Sequence, residues 1–134
     1  MAEWLEIILR FLLAAALGAA IGYERERHGK AAGLRTHTLI SSGAALFTLA
    51  SIYGFNGGAD PSRVAAGVVA GIGFIGAGVI FRGMRGEGVA GITTAASVWV
   101  TAAIGLAAGA GLYLISAIAT IVTIGILKIP KVRG

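Results

Sequence analysis

The amino-acid sequence predicts an all-α integral membrane protein of five transmembrane helices, with the N-terminus outside and the C-terminus cytoplasmic. Three observations predict it. Hydrophobic residues make up 57% of the 134 positions and charged residues only 13%, with a mean hydropathy of +0.87. Soluble domains carry about 25% charged residues, and a small one cannot hide this much apolar surface from water. Five stretches approach the roughly 20 apolar residues that a membrane helix needs. Finally, the basic residues collect at the ends of those stretches, on one side.

The first span runs from about Trp4 to Tyr23, the second from about His37 to Tyr53, and the third from about Val64 to Phe81. The fourth runs from about Ile92 to Ala108 and the fifth from about Leu112 to Leu127, separated by the turn Gly109-Ala110-Gly111. All five belong to a single domain covering residues 1–134. A signal peptide starts with a basic region, whereas Glu3 and Glu6 make this start acidic, so the first span reads as a retained helix. The connections after the first and third spans and the tail hold Arg25, Arg27, Lys30, Arg35, Arg82, Arg85, Lys128, Lys131 and Arg133. That is nine of the eleven basic residues; only Arg10 and Arg63 fall on the other side. Basic loops stay in the cytoplasm, and an odd number of spans then places the N-terminus outside.

Membrane helices associate through close packing and interhelical hydrogen bonds rather than hydrophobic driving force. The third span is the richest in small residues, with Gly67, Gly71, Gly73, Gly76 and Gly78 among alanines. It is expected to be the central, helix-packing element; the other reading of the same glycines is a backbone approached by an ion, a substrate or a second subunit. Hydroxyls recur at helical spacing: Thr93, Ser97 and Thr101 in the fourth span, Thr38, Ser41, Thr48 and Ser51 in the second, and Ser116, Thr120 and Thr123 in the fifth. Such residues either bond between helices or line a hydrated path. No Asp, Glu, Lys or His lies mid-span, and ion pathways normally include one.

The remaining charges sit at membrane edges. Glu6 and Arg10 have the i,i+4 spacing of a helical ion pair, with Arg10 expected to snorkel to the outer interface. Asp60-Pro61-Ser62-Arg63 reads as a helix start, with Asp60 as cap and Pro61 in the first helical position. One carboxylate there is too few for a hard cation. The alternating Glu24-Arg25-Glu26-Arg27 is either a solvated helix end or a recognition surface. In Gly33-Leu34-Arg35-Thr36-His37, Thr36 is a candidate N-cap, and Arg35 and His37 are placed to hold an anionic head group or phosphate at a helix N-terminus. His28 and His37 do not form a metal spacing. The chain lacks cysteine, which excludes disulfides and thiolate sites. No nucleophile-base-orienter set or phosphate-cradling motif is present, so no enzyme activity and no cofactor is expected. Despite a net charge of +5, nothing interleaves aromatic and basic residues as nucleic-acid binding would require. The lipid bilayer is the expected partner.

Several strings resemble the MgtC/SapB family of bacterial inner-membrane proteins. They are Ala19-Ala20-Ile21-Gly22-Tyr23-Glu24-Arg25-Glu26, Ala32-Gly33-Leu34-Arg35-Thr36-His37, Gly43-Ala44-Ala45-Leu46-Phe47-Thr48-Leu49 and Asp60-Pro61-Ser62-Arg63-Val64-Ala65-Ala66. They continue in Gly71-Ile72-Gly73-Phe74-Ile75-Gly76-Ala77-Gly78 and Gly91-Ile92-Thr93-Thr94-Ala95-Ala96-Ser97-Val98-Trp99, in order over nearly the whole chain. The resemblance implies a five-helix transmembrane domain and roles in growth under magnesium limitation and in virulence. It further implies a regulator that restrains the F-type ATP synthase, although family members are often called magnesium transporters. Many members continue into an ACT-like domain, whereas this chain stops at Gly134, as a short member or a shortened one. Gly67 stands where the family pattern leads one to expect a glutamine.

Two functions follow as expectations: a regulator working through helix packing with itself, a dimer favoured, or with another membrane complex; and a small transporter or channel for magnesium or phosphate. The candidate functional residues are Glu24, Arg25, Glu26, Arg35, Thr36 and His37 on the basic side, Asp60 and Arg63 opposite, and Thr93, Thr94, Ser97 and Trp99 in the fourth span. Their expected roles are recognition and interhelical locking.

Overall fold

Five helices form in the computed structural model, which describes residues 3–55, 57–58, 60–84 and 90–130. They are α1 (Glu3–Arg27), α2 (Leu34–Tyr53), α3 (Ser62–Met84), α4 (Ala90–Gly109) and α5 (Tyr113–Leu127). Arg85, Lys131 and Arg133, counted on the basic side, lie outside the described residues. Three helices, α1, α3 and α4, are long and apolar enough to cross a membrane. The other two fall short for different reasons. The 20 residues of α2 suffice in length, but Arg35, His37 and its hydroxyls dilute its apolar character. The 15 residues of α5 are strongly apolar but reach only about 22 Å at 1.5 Å per residue.

Local signals explain where the helices begin and stop. Glu3 and Glu6 occupy the first turn of α1 and Arg25 and Arg27 its last, each sign at the end that the helix dipole favours. Two glycines then end helices in the same way. At Gly29 (φ 66°), Lys30 N–H donates to Arg25 O at 3.1 Å, and at Gly111 (φ 90°), Leu112 N–H donates to Ala107 O at 2.9 Å. Both are Schellman stops, which place glycine in the left-handed conformation just past the helix. The second stop makes the tight α4–α5 hairpin. Asp60 starts α3: its Oδ1 accepts the Ser62 N–H at 3.0 Å and the Ser62 hydroxyl at 2.8 Å.

The arrangement corrects the expectation that the third span is central. The central element is α4, which packs on α1, α2, α3 and α5, whereas α3 touches α4 extensively and α2 sparsely. The close crossings belong to glycines of α1 and α4. A Cβ at Gly18 would stand 1.9 Å from Ser41 Oγ, one at Gly105 2.2 Å from Ser41 O, and one at Gly109 2.9 Å from Ala45 Cα. Helices α1, α2 and α4 therefore meet backbone against backbone around Ser41 and Ala45. A Cβ at Gly67, Gly71, Gly73 or Gly78 would meet nothing within 4 Å among the described residues, and one at Gly76 would only touch Ala95 at 3.8 Å. The same residue type thus serves opposite ends: in α1 and α4 it admits a neighbour, and in α3 it leaves a surface open.

At the α4–α5 end, Arg10 forms the expected ion pair with Glu6 and a further bond to α4. Its Nε donates to Glu6 at 2.8 Å and its Nη1 to Gly109 O at 3.1 Å, with the guanidinium over the Tyr53 ring. Tyr113 also donates to Glu6. A cation on the last carbonyls of α4 complements that helix end.

Candidate functional site

At the opposite end of the bundle, a polar cluster lies beneath the α1–α2 connection. The last turn of α1 brings Glu24 and Arg25 inward, only 6% and 3% exposed. The first turn of α2 brings in His37, with no exposed surface, and α4 supplies Thr94 and Ser97. The approach depends on Gly22, where a Cβ would stand 2.7 Å from Leu34 Cα. The strings that the sequence places far apart, around Glu24, around His37 and around Ser97, therefore converge on one site.

The hydrogen bonds inside it carry a constraint. His37 Nδ1 lies 3.0 Å from Gly33 O, and a carbonyl only accepts, so Nδ1 bears a proton. His37 Nε2 lies 3.0 Å from Ser97 Oγ, and Ser97 Oγ lies 2.7 Å from Thr94 O. A serine has a single hydroxyl proton. With a neutral ring, Ser97 gives it either to His37 or to Thr94 O. With a charged ring, all three bonds form together. His37 is thus the polar lock between α2 and α4, and its protonation decides how Ser97 is oriented.

Glu24 and Arg25 are the costly members. Arg25 Nη1 is 3.9 Å from Glu24 Oε1, and Glu24 Oε2 is 3.3 Å from His28 Nδ1. Glu24 Oε1 and Arg25 Nε have no hydrogen-bond partner among the described residues. Burying charges is tolerated when they are paired, and removing one partner from such a pair is strongly destabilising. The cluster holds one acidic and one basic side chain together under the connection.

Glu26 takes the place expected for an external anion. Its Oε1 accepts the Leu34 N–H at 2.9 Å, so the chain's own carboxylate sits at the start of α2. Gly33 holds the N-cap position, without a side-chain cap. That corrects Thr36 as cap, and it corrects a phosphate held there by His37, which is turned inward. Arg35 and Thr36 are exposed in the first turn of α2. Asp60 and Arg63 are exposed at the far end of the bundle; Thr93 and Trp99 face outward from α4. These six, with Glu26, are not drawn into the buried cluster.

Most hydroxyl stripes turn out to be satisfied within their own helices. Thr101 donates to Ser97 O, Thr48 to Ala44 O, Thr120 to Ser116 O and Ser116 to Tyr113 O, at 2.7–2.9 Å. Sequence reading missed the continuation of one stripe: Ser97, Thr101, Gly105 and Gly109 share a face at four-residue spacing, as do Ala14, Gly18 and Gly22 of α1. Both are small-xxx-small patterns, and both mark the closest crossings.

A helical bundle with three helices long and apolar enough to cross a membrane and a histidine-locked polar end defines the class, and sequence comparison supplies the family. The chain matches the MgtC family model over residues 11–132 and belongs to that family. It is 49% identical over 131 residues to the protein of Escherichia coli (strain K12) called "Putative magnesium transporter YhiD", covering 92% of this chain and 60% of that protein. Over 110 residues it is 47% identical to Protein MgtC of Brucella abortus (strain 2308), covering 82% of this chain and 45% of that one. Protein SrpB of Synechococcus elongatus is 41% identical over 134 residues, covering 91% of this chain and 73% of SrpB. The chain thus spans about half to three fifths of the length of the first two of these relatives. No solved structure matches.

Proposed function

We propose that the chain is a multi-pass protein of the bacterial inner membrane, N-terminus outside and C-terminus cytoplasmic, that acts as a non-enzymatic regulator through helix packing during adaptation to low magnesium. One observation carries this reading. Ala66, Ala70, Gly73 and Ala77 form a small-residue stripe on α3, exposed along its length, while Gly18 and Gly22 of α1 and Gly105 and Gly109 of α4 are already closely approached by neighbours. Stripes of that kind let another membrane helix approach closely. A homodimer or a larger membrane complex, with virulence as the setting in pathogens, fits the same face; the F-type ATP synthase is the complex that the family resemblance implies. The magnesium context is supported by the name of the E. coli relative.

That name also favours a second reading, a transporter or channel for magnesium or phosphate. Against it, Thr101 of α4 and Ser116 and Thr120 of α5 donate to their own helices, and the crossings around Ser41 leave no room beside the glycines. Reconstituted liposomes separate the two. The regulator reading expects magnesium and phosphate flux no greater than in empty liposomes, with a crosslinked species through α3. Flux that Arg35→Ala or Asp60→Ala abolishes would replace it with the transporter.

A further inference from the structure

We propose that the cleft between α2 and α3 binds one anionic phospholipid of a single leaflet, its acyl chain in the cleft and its phosphate on Arg35. The proposal rests on the membrane setting of the proposed function, but not on any protein partner or on the orientation of the chain.

The cleft has a volume of about 670 Å³ and is walled by Leu39, Gly43 and Phe47 of α2 and Gly67, Gly71 and Ile75 of α3, with Ala102 of α4 as floor. Its lining is apolar throughout. An enclosed apolar void of about 150 Å³ already takes a benzene ring, so this one has room for a long hydrocarbon. It exists because α2 and α3 scarcely touch. Ser51 Oγ donates to Pro61 O at 3.4 Å near their connection, which ties the helices at that end. Glycines, where a Cβ would meet nothing within 4 Å among the described residues, hollow both walls at Gly43, Gly67 and Gly71.

Length and charge select the occupant. From Arg35 to Phe47 the helix rises about 18 Å, close to half of the roughly 30 Å hydrocarbon core. A lipid of one leaflet has that reach, whereas a partner helix needs the whole thickness. Arg35 is exposed one helical turn before Leu39, at the end of the cleft away from the Ser51–Pro61 tie. Exposed Thr36 stands one turn before Ile40, another residue of the wall. A cation and a hydroxyl at the mouth of an apolar cleft match a phosphate joined to an acyl chain. Among the described residues Glu26 and Arg35 form no ion pair; the Glu26 carboxylate accepts the Leu34 N–H instead. The small-residue stripe at Ala66, Ala70, Gly73 and Ala77 lies on the other side of α3, so lipid and protein partner would occupy different faces.

The test is native mass spectrometry of the detergent-purified protein titrated with phosphatidylglycerol, phosphatidylcholine or inorganic phosphate. One phosphatidylglycerol should be retained in preference to phosphatidylcholine, and Arg35→Gln should lower that preference about fivefold, the worth of one basic residue at a lipid surface. Gly71→Leu and, from the opposite wall, Gly43→Leu should each expel the lipid, while Gly73→Leu on the other face should leave it bound. Circular dichroism and a monodisperse elution profile qualify each variant as folded; a lipid that stays bound in either folded wall variant overturns the site. Equal retention of both lipids overturns the headgroup assignment, and displacement by inorganic phosphate overturns the lipid in favour of a free anion. A homodimer that Gly71→Leu dissociates with no lipid lost would assign the cleft to a second copy. Loss of lipid binding with an intact α3 crosslink would leave the proposed function standing.

Discussion

Two glycine-rich regions of this molecule do opposite things. Around Ser41, the glycines of α1 and α4 are so closely approached that an added Cβ would fall at 1.9–2.2 Å from Ser41 atoms. Along α3, four of the five glycines from Gly67 to Gly78 would meet nothing within 4 Å among the described residues. Glycine content therefore marks a helix that can be approached, not the one that is. In water, burial of apolar residues would decide between them. In a bilayer, lipid-facing and protein-facing surfaces are equally apolar, and that signal vanishes.

The largest expected effect breaks this comparison directly. Gly105→Leu should destabilise the bundle by about 3 kcal/mol, the upper range for overpacking, because the obstacle is the backbone of Ser41. Gly73→Leu should change stability by less than about 0.5 kcal/mol, as exposed substitutions do. Thermal unfolding in detergent compares the two; equal losses would mean that α3 is as enclosed as α4. Next in size, His37→Leu should cost about 1–3 kcal/mol, leaving Gly33 O and Ser97 without their shared partner. Ser97→Ala should cost less, roughly 0.6 kcal/mol, and the pair should be non-additive in a double-mutant cycle because they share one hydrogen bond.

Arg10→Gln should cost about 1 kcal/mol through its contact with the last carbonyls of α4, read in the same unfolding assay. The smallest stability effect concerns Asp60. Hydrogen bonds from Ser62 hold its carboxyl below the usual carboxylate range. A lowered folded value means that the cap contributes above the unfolded value and is lost as pH falls through the folded one. The acid limb of the stability curve, read by thermal unfolding across pH, should therefore flatten slightly in Asp60→Asn relative to the unsubstituted chain. Arg35→Ala, exposed and free of structural contacts among those described, should leave unfolding unchanged and impair growth under magnesium limitation; normal growth would remove Arg35 from the functional surface.

The number and order of the helices are legible from apolar runs, and the stop at Gly111 from the Gly109-Ala110-Gly111 turn, whereas the stop at Gly29 lies beyond the apolar run that ends near Tyr23 because charged residues carry α1 on to Arg27. The meeting of Glu24, Arg25, His37 and Ser97 was foreshadowed by family strings rather than by any periodicity, since His37 looks in sequence like a helix-start residue facing water. Its inward turn follows from Gly22 and Gly18, which let α2 lie against α1 so closely that the ring reaches α4. The centrality of α4 was legible only in part. Ser97 and Thr101 were recognised as a stripe, but its extension into Gly105 and Gly109 changes residue class halfway and hides the pattern. For Glu26 the sequence leaves a solvated helix end and a recognition surface open, and its role at the start of α2 is not legible, because its partner, the Leu34 N–H, is a backbone group eight positions away.

The central claim is that α3 presents its small-residue stripe outward to another protein, while the small-residue face of α4 that carries Thr101, Gly105 and Gly109 is already packed against α1 and α2. This sequence has no cysteine, so single cysteines introduced into it can be read without background. Oxidative crosslinking in native membranes should give a specific disulfide-linked or thiol-crosslinked species for Gly73→Cys and none for Ala102→Cys on α4. A Gly73→Cys chain that stays uncrosslinked at every oxidant concentration, while Ala102→Cys reacts, would contradict the account.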